Sequence, residues 1–305
     1  MSDLRLPIGE NERLGSIRMA LKLATRAVEK PWGRVDLPEL FPNPAGRRIG
    51  EIWFEGSQGS DLPLLIKYIF TSEPLSIQVH PDDAEARARG LARGKEECWY
   101  ILDCEPGATL GIGLKREVSE YDMRAAIEDG SVERLIDWKA VSPGDFFFMP
   151  AGTVHAIGAG ITLVEIQQNA DVTYRLYDYG RPRALHLVDG LAVSRLAPYD
   201  RDPVHVDLGR TETLLPRDSA PFQLEMLSWE AGTSTDLRLS SQSWFIPLSG
   251  RGIVGGQPFG PGECWLLDAI EELAGESTGT ALIAVAANDP LVTAEPDVHA
   301  MKHLE

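Results

Sequence analysis

Short apolar runs closed by glycine or proline recur along this chain, at 64–71, 75–80, 98–102, 146–149, 162–167, 222–229, 243–248, 264–267 and 281–286. Runs of this length with turn residues at close spacing read as strands of a sandwich or barrel. At 305 residues the chain has room for one large core or two medium ones. Hydrophobic residues make up 43% of it, an ordinary share for a packed protein, which argues against global disorder.

Two helical patches interrupt the strands. Residues 82–93 carry alanines and charges at i,i+4 spacing, with Asp82 or Asp83 near the start. Ser119-Glu120-Tyr121-Asp122 resembles a capping box with Asp in place of Glu. It opens a helix to about 128, and a second helix is expected over 131–137. Residues 1–20 are polar without a clear period and read as an arm. From about 288 the chain reads as a closing loop and tail.

A weak internal repeat organises the rest. The first copy runs from Cys98-Trp99-Tyr100-Ile101-Leu102 to Pro143-Gly144-Asp145-Phe146-Phe147-Phe148. The second runs from Trp244-Phe245-Ile246-Pro247-Leu248 to Pro261-Gly262-Glu263-Cys264-Trp265-Leu266. Each has an aromatic strand, a gap, and a Pro-Gly-acid turn into another apolar strand. The chain is therefore expected to be mainly β, with two jelly-roll units of the cupin kind. The expected division is an arm at 1–20, a metal-binding unit at 21–198 with a helical insertion at about 116–138, and a second unit at 199–305. The second copy has no histidine after its Pro-Gly-Glu turn, so it is expected to hold no metal.

The metal expectation comes from three segments. In Ser76-Ile77-Gln78-Val79-His80-Pro81, period-2 geometry puts Gln78 and His80 on one face. Glu96 and Glu97 open the next strand, and alternation alone does not say which points inward. His155 follows a Pro-Ala-Gly turn. Imidazole and carboxylate suit zinc, and also iron and manganese. The bland alternatives are a strand-capping His80, an exposed edge glutamate and a polar loop at His155. His186, His205, His299 and His303 have no partner at ligand spacing.

Charge adds a constraint. With 46 acidic and 29 basic residues the formal net charge is −17, a field that repels nucleic acid and anionic lipid. A site for an anionic metabolite must then gather Lys and Arg locally. No secretory signal and no apolar run long enough to span a bilayer is evident, so cytoplasmic residence is expected. Cys98, Cys104 and Cys264 form no C-x-x-C pair and read as reduced thiols.

At these residues the chain resembles the type I mannose-6-phosphate isomerases, in their short bacterial form. The matching segments are Glu29-Lys30-Pro31-Trp32-Gly33, Ile66-Lys67-Tyr68-Ile69, Ser76 to Asp83, Gly94-Lys95-Glu96-Glu97-Cys98-Trp99-Tyr100, Pro150 to Ala156, and Glu165 to Tyr179. They run in family order over about 25–190. The resemblance implies a zinc-dependent aldose–ketose isomerase that interconverts mannose 6-phosphate and fructose 6-phosphate through a cis-enediol. It places the zinc ligands on His80, Glu97 and His155, with Gln78 at the family's glutamine, and so selects Glu97 over Glu96. Its active-site arginine falls on Arg175 and its acidic residue on Glu165. For the phosphate of such a sugar substrate, Lys95 and Lys67 come ahead of Arg183. Two rival classes stay open: an iron-dependent cupin oxygenase, and a non-catalytic sugar-binding or regulatory cupin. The sequence leaves the oligomeric state open.

Overall fold

The structure is a computed structural model and describes residues 20–57, 60–206, 209–216, 219–239, 242–268 and 270–287. Its strands form four sheets, and every pairing between named strands is antiparallel. A seven-stranded sheet runs in the order Val204–His205, Asp145–Met149, Glu97–Cys104, Ile161–Gln168, Leu64–Phe70, Ile49–Glu55, Ala24–Arg34. A five-stranded sheet runs Tyr174–Tyr177, Ile77–Val79, His155–Ile157, Thr109–Leu114, Ile136–Ala140. Together they make the first jelly-roll unit. The second has a six-stranded sheet with Ser243–Ser249, Gly279–Ala286 and Phe222–Trp229 at its centre, and a four-stranded sheet of Ser234–Arg238, Ile270–Gly275, Gly252–Val254 and Gln257–Phe259. The mainly β, cupin-like fold expected from the repeat is the fold observed.

The strand Leu64–Phe70 shows why the layers stack as they do. All seven of its residues are buried, because both faces of the sheet are covered. Leu64, Ile66, Tyr68 and Phe70 face a core shared with Leu224, Met226, Trp244, Ile246 and Leu282 of the second unit. The alternate residue Ile69 faces the interior of the first unit, among Trp99, Phe147, Leu110 and Ile157. Fully burying one such side chain, Ile66 or Phe222, stabilises the fold by about 1.5–3 kcal/mol relative to exposure. The chain also crosses between units. Leu21–Lys22 pairs with Trp265–Leu267 in the second unit, and Val204–His205 pairs with Asp145–Met149 in the first.

Helices close the outer face of the five-stranded sheet. Glu120–Asp129 and Val132–Leu135 bury Met123, Ile127 and Val132 against Ile77, Leu114 and Val154, and Leu187–Val193 adds Leu191. Ser119 caps the first of these by accepting from the Asp122 N–H. The Asp122 carboxylate meets the Ser119 hydroxyl, since Asp is one methylene too short to reach back to the cap N–H. A complete capping box stands instead at Asp82 and Glu85. That helix is Asp83–Ala88, shorter than the expected 82–93. Gly90 turns left-handed at φ 76°, and the N–H groups of Gly90 and Leu91 close on Arg87 and Ala86. The helix expected over 131–137 also stops early, because residues from Ile136 pair with Thr109–Leu114 as a strand. Among the described residues no helix is long and apolar enough to cross a membrane.

Candidate active site

Three neighbouring strands bring the ligand candidates together inside the first unit. His155 pairs directly with Gln78, and His80 follows the Ile77–Val79 strand. Glu97 opens Glu97–Cys104 on the facing sheet, opposite Met149 and Gln167. One nitrogen of His80, one of His155 and one oxygen of Glu97 all lie within 4.8 Å of one another, and all three residues are buried. His155 Nε2 is 3.3 Å from Glu97 Oε1 and His80 Nε2 is 3.5 Å from Oε2.

The other ring nitrogens fix which atoms face the cluster. His80 Nδ1 is 2.8 Å from the Val172 carbonyl and His155 Nδ1 is 2.8 Å from that of Thr153. A carbonyl only accepts, so each Nδ1 carries the proton and each Nε2 lone pair points inward. Burial, with Lys95 and His155 alongside, holds His80 well below the usual imidazole range, and burial lowers His155 as well. Both rings are therefore neutral, as ligation requires. Burial pushes the Glu97 carboxyl up, but Lys95 and His155 outweigh it and the group sits below its ordinary value. Neither Glu97 oxygen accepts a well-aligned hydrogen bond, although Lys95 Nζ lies 2.8 Å from Oε2 and 3.1 Å from His80 Nε2. A fully buried carboxylate without aligned donors, facing two neutral imidazole nitrogens, fits a divalent cation. Gln78 reaches His155 Nε2 at 3.3 Å with its amide nitrogen, while its oxygen accepts from Ser76. A flip of the amide presents the oxygen instead.

Beside this cluster runs a row of cross-strand neighbours, Trp53, Lys67, Glu165, Trp99 and Phe147. Lys67 donates to Glu165 and Gln167, and its ammonium sits 4.8 Å from the Trp53 ring. Trp99 Nε1 donates to the other Glu165 oxygen at 3.1 Å. Both Glu165 oxygens are thus held in place. The pocket over this row is lined by the cations Lys30, Lys67, Lys95, Arg175 and Arg183, against the acids Glu51, Glu165 and Asp171. Five cations and three acids line this pocket in a protein of net charge −17, with Glu97 and Asp178 behind the lining paired to Lys95 and Arg183.

Arg175 stands across from Gln78 in the five-stranded sheet. It forms no ion pair with Asp171 or Asp178, the surface reading its sequence neighbours suggest. One terminal nitrogen donates to the Ala184 carbonyl, and Nε is buried without a partner. Glu96 is on the opposite face from Glu97, near the Ala151 N–H. His186 accepts from the Arg175 backbone N–H and His205 pairs with Asp145, both away from the cluster. His299 and His303 lie outside the described residues. Sequence reasoning passes over Glu51 and Trp53, which join the site through a 2.6 Å hydrogen bond and the Lys30–Glu51 ion pair. The signal was the polar Glu51 between Ile49 and the apolar Ile52-Trp53-Phe54 of the strand Ile49–Glu55.

No protein-family profile matches the chain. It is 35% identical over 207 residues to a mannose-6-phosphate isomerase of Streptococcus mutans, a stretch covering 65% of each protein. It is 40% identical over 174 residues to ManA, a mannose-6-phosphate isomerase of Bacillus subtilis, covering 52% of this chain and 55% of that one. The crystal structure of the mannose 6-phosphate isomerase from B. subtilis superposes with a TM-score of 0.74 and 25% identity, over 88% of this chain and all of the other (100%). The chain is similar to mannose-6-phosphate isomerases over 65% of its length in sequence and 88% in fold. The matched stretches span 65% or less of the curated isomerases' own length. A zinc-bound mannose 6-phosphate isomerase shares the fold at a TM-score of 0.66 and 16% identity.

Proposed function

We propose that this chain is a zinc-dependent aldose–ketose isomerase that interconverts mannose 6-phosphate and fructose 6-phosphate. The observation that carries the reading is the adjacency of the His80–Glu97–His155 cluster to the buried Lys67–Glu165 pair and Arg175 in one pocket. His80, Glu97 and His155 would hold the ion, with Gln78 as a weaker fourth ligand. When bound, zinc supplies Lewis acidity toward the substrate's hydroxyl and carbonyl oxygens.

The reaction moves a proton between C2 and C1 through a cis-enediol, and the chain's own side chains divide the work. Glu165 is the acid–base candidate: Lys67 and Trp99 fix both of its oxygens, so the carboxylate meets the sugar in one orientation. Arg175, with Nε unpartnered, is placed to share charge on the enediolate oxygens. Lys95, which lies against Glu97 and His80 and lines the pocket, would donate to a substrate oxygen there. Lys67 adds positive potential at the same end. An iron oxygenase of the cupin kind needs a third histidine, and among the described residues only His80 and His155 join the cluster. The three cysteines are free, in keeping with a cytoplasmic sugar-phosphate enzyme.

A coupled assay of mannose 6-phosphate turnover, with and without chelator, tests the reading. Turnover that chelation removes and zinc restores is expected. Absence of turnover with a fully zinc-loaded chain overturns it.

A further inference from the structure

The pocket's cations are unequally committed. Lys67 spends its donors on Glu165 and Gln167 and stacks over Trp53. Lys95 lies against Glu97 and His80. Lys30 pairs with Glu51. Arg183 differs, because its partner takes only one edge of it. Nε and Nη2 donate to the two oxygens of Asp178, each at 2.6 Å. A guanidinium has five N–H donors, so three remain after this fork is made.

Asp178 is itself built in. It is 2% exposed and also accepts from Arg181 at 3.1 Å. Arg181 in turn donates to Glu73 and to the Pro74 carbonyl, pinning the segment to the loop that leads to Ser76 and Gln78. The backbone between them is bent for the purpose. Tyr179 and Gly180 both have positive φ, at 54° and 78°, and the Arg181 N–H closes on the Asp178 carbonyl. This is the signature of a type I′ turn, with a tyrosine where glycine or asparagine is usual. The turn folds Arg181 and Arg183 back onto one carboxylate. Arg175 lies close enough that Arg183, after burial, contributes to lowering its pKa. Asp178 also lies near Arg175, but its carboxylate is taken up by Arg181 and Arg183, and the N–H donors that Arg183 keeps on the pocket side are arranged to receive a dianion.

We propose that Arg183 is the phosphate anchor of the substrate site, and that Asp178 is the positioning residue that aims it. This rests on the sugar-phosphate reading above and separates two ends of the substrate. Lys67, Lys95 and Arg175 serve the reacting carbons, and Arg183 serves the phosphate.

The test uses the full-length zinc-loaded chain, mannose 6-phosphate as substrate and inorganic phosphate as competitive probe. Arg183→Ala should raise KM about tenfold or more and weaken phosphate inhibition in parallel, with kcat little changed. Arg183→Lys should recover part of the phosphate affinity but not the bidentate geometry. Asp178→Asn should raise KM with Arg183 still present, while zinc content holds. If Asp178→Asn fails to fold, Arg183→Ala decides alone, since it leaves Asp178 with Arg181. Unchanged KM and unchanged phosphate inhibition in Arg183→Ala overturn the anchor. So does a drop in kcat at constant KM, which would put Arg183 at the reacting end. If the wild type turns over no mannose 6-phosphate, the activity reading fails by itself. Calorimetric binding of inorganic phosphate to wild type and Arg183→Ala then still decides the anchor: equal affinity rejects it, and weaker binding by the variant supports it.

Discussion

Lys67 and Glu165 face each other across two antiparallel strands, Nζ 2.9 Å from Oε1, both almost fully buried. Removing one partner of such a pair strands the other charge without water. Lys67→Met should lower unfolding stability by about 3–5 kcal/mol, measured by urea denaturation. The double variant Lys67→Met, Glu165→Met should recover much of that loss and remain inactive. A single variant as stable as the wild type would show that the pair is solvated.

The cluster makes a sharper demand. His80→Ala and His155→Ala should each lose most bound metal in elemental analysis. Gln78→Ala should keep it with affinity weakened about 10–100-fold, because its amide touches His155 without being needed to complete the trio. Full occupancy in both histidine variants would remove these residues from the ligand set.

Arg175 is expected to act on the chemical step. Arg175→Ala should lower kcat by about 10²-fold or more, with KM changing less and zinc content intact. Steady-state kinetics beside metal analysis reads both. Near-normal kcat would leave Arg175 a structural residue tied to Ala184.

Gly94 sets the approach of the Lys95–Glu97 segment to the capping box. A Cβ there would lie 2.4 Å from the Asp82 carbonyl carbon and 2.6 Å from the Asp83 nitrogen, backbone atoms that cannot move aside cheaply. Gly94→Ala should therefore destabilise by about 1–3 kcal/mol, seen as a lower Tm. Because Gly94 precedes Lys95, metal affinity should fall with it.

Much of this site is legible in the sequence, for reasons that differ by residue. Gln78 and His80 share a face by strand period alone, and the structure pairs that strand with His155. Glu97 and Glu96 are not separable that way, because alternation says only that they point apart. What separates them is the opposite sheet, which buries Glu97 completely and leaves Glu96 partly exposed. Glu51 and Trp53 escape the sequence because Gly50 and Glu51 interrupt their apolar run, and their partners Lys30 and Lys67 come from other strands. The fold class is readable from strand spacing. The helix ends are less so, since Gly90 and the Ile136–Ala140 pairing each override a favourable helical pattern.

The core shared by the two units has a practical consequence for anyone redesigning this protein. A fragment holding only the first jelly roll would expose Ile66, Tyr68, Phe70 and Phe148 as one greasy wall, and it would clump before it could be assayed. The second half therefore works as a permanent chaperone for the first. Module swaps must carry both halves across together, with the 21–22 strand left in its exchange position as the latch.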